Sequence, residues 1–416
     1  MTASSTTIRV TGVLALIAAE AFLYGFSYPY FSLALDARSV PLWLVGLNAS
    51  TAGLGILLVG PFLPWIIDRI GLRPLVIAQF SISLACFAVL LTTGNLIVWF
   101  ASRFVMGACF ASLWTTTELW LNGIAPAAQR GRIVGASGTL YAACQFAGPL
   151  ALGQSGVIGA APIVAAMLPL ALGIVVAMAI PPALGRAEDE EPDGTFAALR
   201  AALPIAGPLM WVALLTGIGE TAMQSLLPLY GRRHGLNVMS ASVLIAVFSL
   251  GEAVLVAVLG WLADRYGSRM TLLLAAAVAA VSSALIPVFV HNALALCIVL
   301  FLAGGTIAGL YTLGVVQIGQ TFTGQKLVLV STGFAMAYSA GSVLGATPMG
   351  AAMDHFGVNA LPLLTALLFA GLFAALQRWS SQARHVDTPS KKAEDVAVGR
   401  VESGTSIPEL ATRSSH

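Results

Sequence analysis

The sequence predicts an all-α membrane protein: twelve transmembrane helices in two pseudo-symmetric six-helix bundles. Composition, the length of the uncharged runs, and an internal repeat carry this reading. Of 416 residues, 58% are hydrophobic and only 9% charged, against about 25% charged in a soluble domain. Mean hydropathy is +0.89. The charges are also segregated: residues 186–200 hold seven and residues 381–416 hold ten. A soluble globule of this length could not hide so much apolar surface. That excludes a cytosolic enzyme, a disordered chain and a nucleic-acid binder. The net charge of +2 is too small to call for a polyanion, so no nucleic-acid partner is expected and the lipid bilayer is the first partner.

The spans follow in order. A helix rises about 1.5 Å per residue, so about 20 apolar residues cross the hydrocarbon. The first span covers roughly 10–35; its apolar run is too long for a signal-peptide core of roughly 7–15 residues, so it is read as retained. The second covers roughly 44–67. Pro74–Ser102 is uncharged and breaks at Thr92-Thr93-Gly94-Asn95, giving roughly 74–92 and 95–120. Ile133–Gly185 holds no charge over 53 positions, too many for one crossing. The Gly/Pro-rich stretch Gly153–Pro162 divides it into roughly 133–153 and 160–181. The second half reads as roughly 204–230, 239–262, 270–290, 293–319, 327–351 and 358–379. These runs are about twice the length of a barrel strand and do not alternate, so strands are not expected.

The resulting domains are a first bundle over 1–185, a cytoplasmic linker over 186–203, a second bundle over 204–380 and a disordered cytoplasmic tail over 381–416. The acidic run Glu188-Asp189-Glu190-Glu191 falls in the linker and reads as solvated. With both termini cytoplasmic, sixteen Lys and Arg lie inside against three outside, namely Arg38, Arg232 and Arg233. The positive-inside rule selects that orientation. The cysteines Cys86, Cys109, Cys144 and Cys297 each sit alone in an apolar run, as small hydrophobes in helix packing. No metal or cofactor is expected.

Shifting the first half by about 197 positions lays it on the second. Asp68-Arg69-Ile70-Gly71-Leu72-Arg73 falls near Asp264-Arg265-Tyr266-Gly267-Ser268-Arg269. Gly107 and Trp114 fall on Gly304 and Tyr311, Tyr141 and Gly148 on Tyr338 and Gly345, and Glu20 near Glu220. A repeat of six helices is the mark of a secondary transporter with two parallel halves.

At these residues the chain resembles the major facilitator superfamily. That family's loop between spans two and three reads G-x-x-x-D-[RK]-x-G-[RK]-[RK]. Gly260, Asp264, Arg265, Gly267 and Arg269 fit it well. The first copy keeps Asp68, Arg69, Gly71 and Arg73 but has Pro64 in place of the opening glycine. Arg103 and Gly107 match the family's R-x-x-x-G, and Gly148-Pro149 matches its Gly-Pro in span five. The stretches Arg103–Gly107, Trp114–Glu118 and Arg130-Gly131-Arg132 look most like the bacterial YcaD-like branch. The resemblance implies a non-enzymatic transporter of the bacterial inner membrane that works by alternating access. It also implies that spans one, four, seven and ten line a cavity, with five, eight and eleven beside them.

The loop motif has its own physical sense. Asp68 and Asp264 lie at cytoplasmic helix ends, where each can pair with Arg69, Arg73 or their counterparts and with a neighbouring helix N-terminus. Such a contact would hold an inner gate shut. The alternative is that these arginines only obey the charge rule for topology.

Glu20, Glu118, Glu220, Glu252 and Arg103 fall inside spans. Each costs about 2.5–3.5 kcal/mol at mid-bilayer unless paired or hydrated, so each points to a cavity. Arg103, Gly107, Phe110, Trp114 and Glu118 share one face of span four; Glu20 and Tyr24 share one on span one. Glu220 with Gln224, and Tyr141 with Gln145, do the same on spans seven and five. Glu20, Glu220 and Glu252 are the candidates for proton coupling, because a buried carboxyl can load and release a proton. Arg103 stays charged; it can neutralise a glutamate, bind an anion or hold the fold through carbonyls. Glu118 lies about 22 Å along the helix from Arg103, too far for a direct pair. Trp114 and Tyr311 read either as bundle packing or as an aromatic platform. The cavity candidates are therefore Tyr24, Arg103, Trp114, Glu118, Gln145, Gln224, Tyr311 and Tyr338.

Other classes fit poorly. The nearest phosphate-loop string, Gly319–Lys326, inserts Gln325 before the lysine and lacks the following Ser/Thr. No hydrolase motif is present, and Asp354-His355 is an isolated pair in an outer loop. The sequence therefore reads as a monomeric, proton-coupled secondary transporter of a small organic solute, with export favoured over import. The alternative is an importer or facilitator of a sugar-like or other small metabolite.

Overall fold

The computed structural model describes residues 3–126, 129–180 and 195–386. Among them every regular element is a helix: α1 (Ala3–Asp36), α2 (Leu42–Val59), a 3₁₀ turn η1 (Gly60–Phe62), α3 (Leu63–Ile70), α4 (Leu72–Thr92), α5 (Leu96–Ile124) and α6 (Arg130–Ser155). Then follow α7 (Ala161–Ala179), α8 (Thr195–Arg233), α9 (Val238–Tyr266), α10 (Ser268–Phe289), α11 (Ala293–Thr321), α12 (Gly324–Phe356) and α13 (Ala360–Val386). With α2, η1 and α3 taken as one interrupted rod, these are the twelve expected segments. The interruption has a local cause: Pro61 and Pro64 cannot donate to the helical ladder, so one turn tightens before the helix resumes. Pro204 and Pro208 likewise flank non-helical Ala206, which kinks α8 near its start.

Eleven of the described segments are long and apolar enough to cross a membrane. The segment that falls short on apolarity is α6. It is 26 residues long, and Thr139, Gln145 and several glycines dilute its apolar content.

The described residues up to Phe373 form one compact unit, and a second begins at Ala374, whose described part is the end of α13. α8 begins at Thr195, inside the stretch expected as linker, and α13 runs to Val386, past the expected start of the tail. The acidic run Glu188–Glu191 and the tail from 387 lie outside the described residues.

The sequence repeat is a repeat of packing. Glycines let helix backbones meet where a Cβ would collide. A Cβ on Gly107 of α5 would strike the backbone of Ala52 on α2, and one on Gly304 of α11 would strike the Phe248 carbonyl on α9. Gly55 meets the Phe104 carbonyl as Gly251 meets that of Phe301. Gly148 of α6 meets the Phe22 carbonyl of α1, and Gly345 of α12 meets that of Ile218 on α8. Each pair is offset by the same interval as the sequence repeat. The two halves meet where α2 packs on α12 and where α6 packs on α9.

A cavity between the halves is the candidate functional site

A cavity of about 1100 Å³ lies between the halves. Most of its wall comes from α5, α6 and α9, with α1 and α11 contributing several residues each and α2, α8 and α12 one each, Ala52, Glu220 and Tyr338. It is closed toward the helix ends that carry Asp36 and Asp354, here termed the distal end, and open toward the ends that carry the two loop motifs, the motif end. Glycines on α6 trace this taper. Gly148 and Gly153 are packed tightly, Gly153 against Met239 of α9, while Gly131, Gly135 and Gly138 have nothing within 4 Å of a Cβ.

The distal seal has polar and steric parts. The Asp354 carboxylate, at the end of α12, accepts backbone N–H bonds from Leu42 at 3.2 Å and Trp43 at 2.9 Å. Those are the first two residues of α2, so one half supplies the N-cap of a helix in the other. Ser50 and Thr347 hydroxyls bond at 3.0 Å along the same α2–α12 contact. Gly46 and Gly350 admit backbone contact between these helices. Arg233 pairs with Asp36 at 2.8 Å, with its own side chain half exposed.

The expected site residues are distributed unevenly around the cavity. Glu20, Tyr24, Arg103, Trp114, Gln145, Glu220, Glu252, Tyr311 and Tyr338 all line it. Glu118 does not; it is exposed, away from the cavity wall. Fifteen residues from Arg103, at 3.6 per turn, carry it about 60° off the shared face, whereas Trp114 has drifted only about 20°. Gln224 is buried behind the wall and joins two carboxyls: its Nε2 donates to Glu220 Oε1 and to Glu252 Oε1, both at 3.3 Å. Gln145 of α6 donates to Glu252 Oε2 at 2.9 Å, which links the two halves. Glu252 thus has both oxygens engaged by amides, and Glu220 is held by Gln224 and by the Tyr338 hydroxyl. Glu20 is 1% exposed, and its Oε2 has no hydrogen-bond partner.

Arg103 is 1% exposed. Its Nη1 donates to Ser27 Oγ at 3.2 Å, and its guanidinium lies 4.2 Å over the Tyr28 ring and 4.9 Å over Phe31. A hydroxyl and two ring faces of α1 hold it, not a glutamate or a row of carbonyls. Trp114 stands edge-to-face on Tyr141 with centroids 4.5 Å apart, and Tyr311 on Tyr338 at 4.9 Å. The equivalent rings of the two halves thus each pair with the next cavity helix of their own half. Tyr28 was legible but not singled out: it follows Tyr24 by one helical turn and lines the cavity.

At the motif end, Gly71 (φ 82°) and Gly267 (φ 88°) occupy the positive-φ conformation that favours glycine. They let the chain reverse between α3 and α4 and between α9 and α10. Among the described residues, Asp68 and Asp264 form no ion pair with Arg69, Arg73 or Arg265, so the first copy of the motif does not make the expected gate contact here. Arg73 Nε donates to the Ala177 carbonyl at 3.1 Å and its Nη2 to that of Met178. A cation at the last carbonyls of α7 is favourable on dipole grounds. Arg69 rests over Trp65 at 5.4 Å and Arg265 over Trp261 at 5.6 Å. Gly260 faces open space, and Arg269 lies in the first turn of α10. The motif end is open, and Asp68 makes no ion pair with Arg69 or Arg73.

A model of the Major Facilitator Superfamily matches residues 10–248 and 209–412. The chain belongs to that superfamily. It is 24% identical over 369 residues to the uncharacterized MFS-type transporter YfkF of Bacillus subtilis (strain 168), covering 87% of this chain and 93% of that one. It is 25% identical over 361 residues to YcaD of Escherichia fergusonii, also an uncharacterized MFS-type transporter, covering 86% and 91%. Among solved structures, the nucleoside transporter NupG superposes with a TM-score of 0.77 at 11% identity, over 89% of this chain and 98% of that one. That likeness is one of fold. The chain is therefore a multi-pass membrane transporter of two six-helix halves, and not an enzyme.

Proposed function

We infer that the protein moves a small organic solute across the bacterial inner membrane by alternating access, coupled to protons, as a monomer with both termini in the cytoplasm. In that orientation the structure is the inward-open state. The carrying observation is the cavity itself: it is sealed at one end and holds three carboxyls, no lysine, and one guanidinium that contacts Ser27 and two rings of α1. Uncompensated buried carboxylates are costly, so exchange of a proton or a cationic group with each access change supports coupling. The Gln145–Glu252 bond supports it further, because it ties the state of a carboxyl to the contact between halves. An acid-rich cavity disfavours a free dianion, and export of apolar or cationic compounds is favoured over import.

The tyrosine hydroxyls and Gln145 of the same wall favour a second reading, a facilitator or importer of a neutral metabolite of the kind named for NupG. Purified protein in proteoliposomes separates the two. Under the first reading, an imposed pH gradient drives saturable uptake or efflux of a cationic or apolar solute, and Glu252→Gln uncouples it. Uptake of neutral solutes with no response to the gradient would establish the second. No saturable flux of any solute class would overturn both.

A further inference from the structure

The three cavity carboxyls differ in how far the protein has already satisfied them. Glu252 receives amide donors on both oxygens, from Gln145 and Gln224. Glu220 receives Gln224 and the Tyr338 hydroxyl. Glu20 makes no hydrogen bond or ion pair among the described residues, is 1% exposed, and leaves Oε2 buried without a partner. Buried polar groups in folded proteins are nearly always satisfied, and a carboxyl left bare costs more than a neutral group. An orphan of this kind on the wall of a large cavity marks where a ligand's donor belongs.

The surroundings define that donor. Arg103 does not serve: its Nη1 donates to Ser27 and its face lies over Tyr28 and Phe31, and although its Nε has no acceptor, no bond from it reaches Glu20. Ser27 is seven residues beyond Glu20 on α1, about 10 Å along the helix. No Lys or His lines the cavity. The site thus sets three carboxyls against one guanidinium, and the orphaned carboxylate oxygen is that of Glu20. Flat rings line the same cavity: Tyr24 stands one helical turn beyond Glu20, and Tyr141 meets Trp114 edge-to-face at 4.5 Å, while the Tyr28 face is already taken by Arg103. Ring faces attract cations and stack on planar groups. A carboxyl with a missing donor beside several ring faces fits one chemical class, a planar organic cation bearing N–H groups.

On the transporter reading above, we propose that Glu20 anchors the cationic N–H group of a planar organic substrate, while Glu220, Gln224, Glu252 and Gln145 form a separate chain that joins the site to the contact between halves. The two roles follow from occupancy: one carboxyl awaits a partner and the others are tied into the protein. A neutral sugar-like solute would not need the bare carboxyl, and an anion would meet it with repulsion.

Fluorescence binding to the full-length purified protein tests the assignment, with proflavine as the cationic N–H probe and acridine at pH 8 as its neutral ring counterpart. Wild type should bind proflavine saturably and in preference to acridine. Glu20→Gln should weaken proflavine by about tenfold or more, the loss of a charge-assisted bond, and leave acridine unchanged. Glu20→Asp, which keeps the charge with a shorter reach, should fall between. Glu118→Gln, at an exposed acid away from the cavity wall, should keep proflavine affinity within about threefold. Equal proflavine affinity in wild type and Glu20→Gln, no preference over acridine, or no saturable binding would each overturn the proposal. Proteoliposome flux separates it from the parent reading. If proflavine binds through Glu20 but no solute crosses, transport fails and the site stands. If other solutes cross while proflavine neither binds nor competes, the site fails and transport stands.

Discussion

Removing the Asp354 carboxylate should loosen the distal seal. Its two bonds, to the Leu42 and Trp43 amides at 3.2 and 2.9 Å, cap a helix of the opposite half. A side-chain N-cap is worth about 0.5–2 kcal/mol, and an anion at a helix N-terminus adds about 0.3–1 kcal/mol. Asp354 is exposed, so solvent replaces part of the loss, and about 1–2 kcal/mol is the expected cost of Asp354→Ala. The cap exists only while the distal end is closed, so the whole cost falls on that state. The ratio of distal-closed to distal-open molecules should drop by about 5–30-fold. The assay is a pulsed electron–electron distance measurement between spin labels at Ala37 and Asn359, both exposed at this end, in a background with the four native cysteines replaced. A longer-distance population should grow in Asp354→Ala and, to a lesser degree, in Asp354→Asn. Distributions identical to the parent in both variants would refute the latch and leave the carboxylate as a local cap. Arg233→Gln is the contrast: its pair with Asp36 is half exposed, such pairs contribute about 0–1 kcal/mol, and its shift should stay under about fivefold.

Three further outcomes are expected. Gly148→Ala should destabilise the detergent-solubilised protein by about 1–3 kcal/mol, because its Cβ would strike the Phe22 carbonyl, whereas Gly138→Ala, with open space around it, should be neutral or slightly stabilising; thermal unfolding of both variants checks this, and equal stability would contradict the packing. Trp114→Ala should weaken apparent affinity for a transported aromatic solute by roughly three- to thirtyfold, since ring stacking is worth about 0.5–2 kcal/mol, with folded yield near normal; equal affinity would reduce Trp114 and Tyr141 to packing. Gln145→Leu should remove the bond between α6 and Glu252 and lower gradient-driven flux more than solute binding; a parallel loss of both would place Gln145 in the binding site instead.

The helices were legible because each is written locally. Apolar runs of membrane length, cut by Thr-Thr-Gly-Asn or Gly/Pro stretches, need no tertiary knowledge to read, and α4 ends at Thr92 as the breaker predicts. The cavity-facing stripe of α5 was readable for the same reason, but only over a limited distance. A stripe taken at fixed spacing drifts, and over fifteen residues it drifted enough to misplace Glu118. The roles of α8 boundaries and the loop aspartates were less accessible. Whether Asp68 meets Arg73 depends on where α7 ends, and here Arg73 is drawn to the Ala177 and Met178 carbonyls.

Periodicity, charge placement and the half-chain repeat were enough to establish helix number, the pairing of halves and which helices carry buried charge, because all of these follow from short-range pattern and from the cost of charge in hydrocarbon. They could not rank the three glutamates. Glu20, Glu220 and Glu252 look alike as residues, and Glu252 stood out only for lacking an acidic twin. What separates them is how many donors reach each one, and those donors come from 28 and 107 positions away in the chain, from Gln224 and Gln145. Asp354 is the same case on a larger scale: its partners are the amides of Leu42 and Trp43, 312 and 311 residues distant. A side chain's identity is local, but the satisfaction of its hydrogen bonds is a property of the packed halves, and the bare carboxyl of Glu20 emerges only when every other helix is in place.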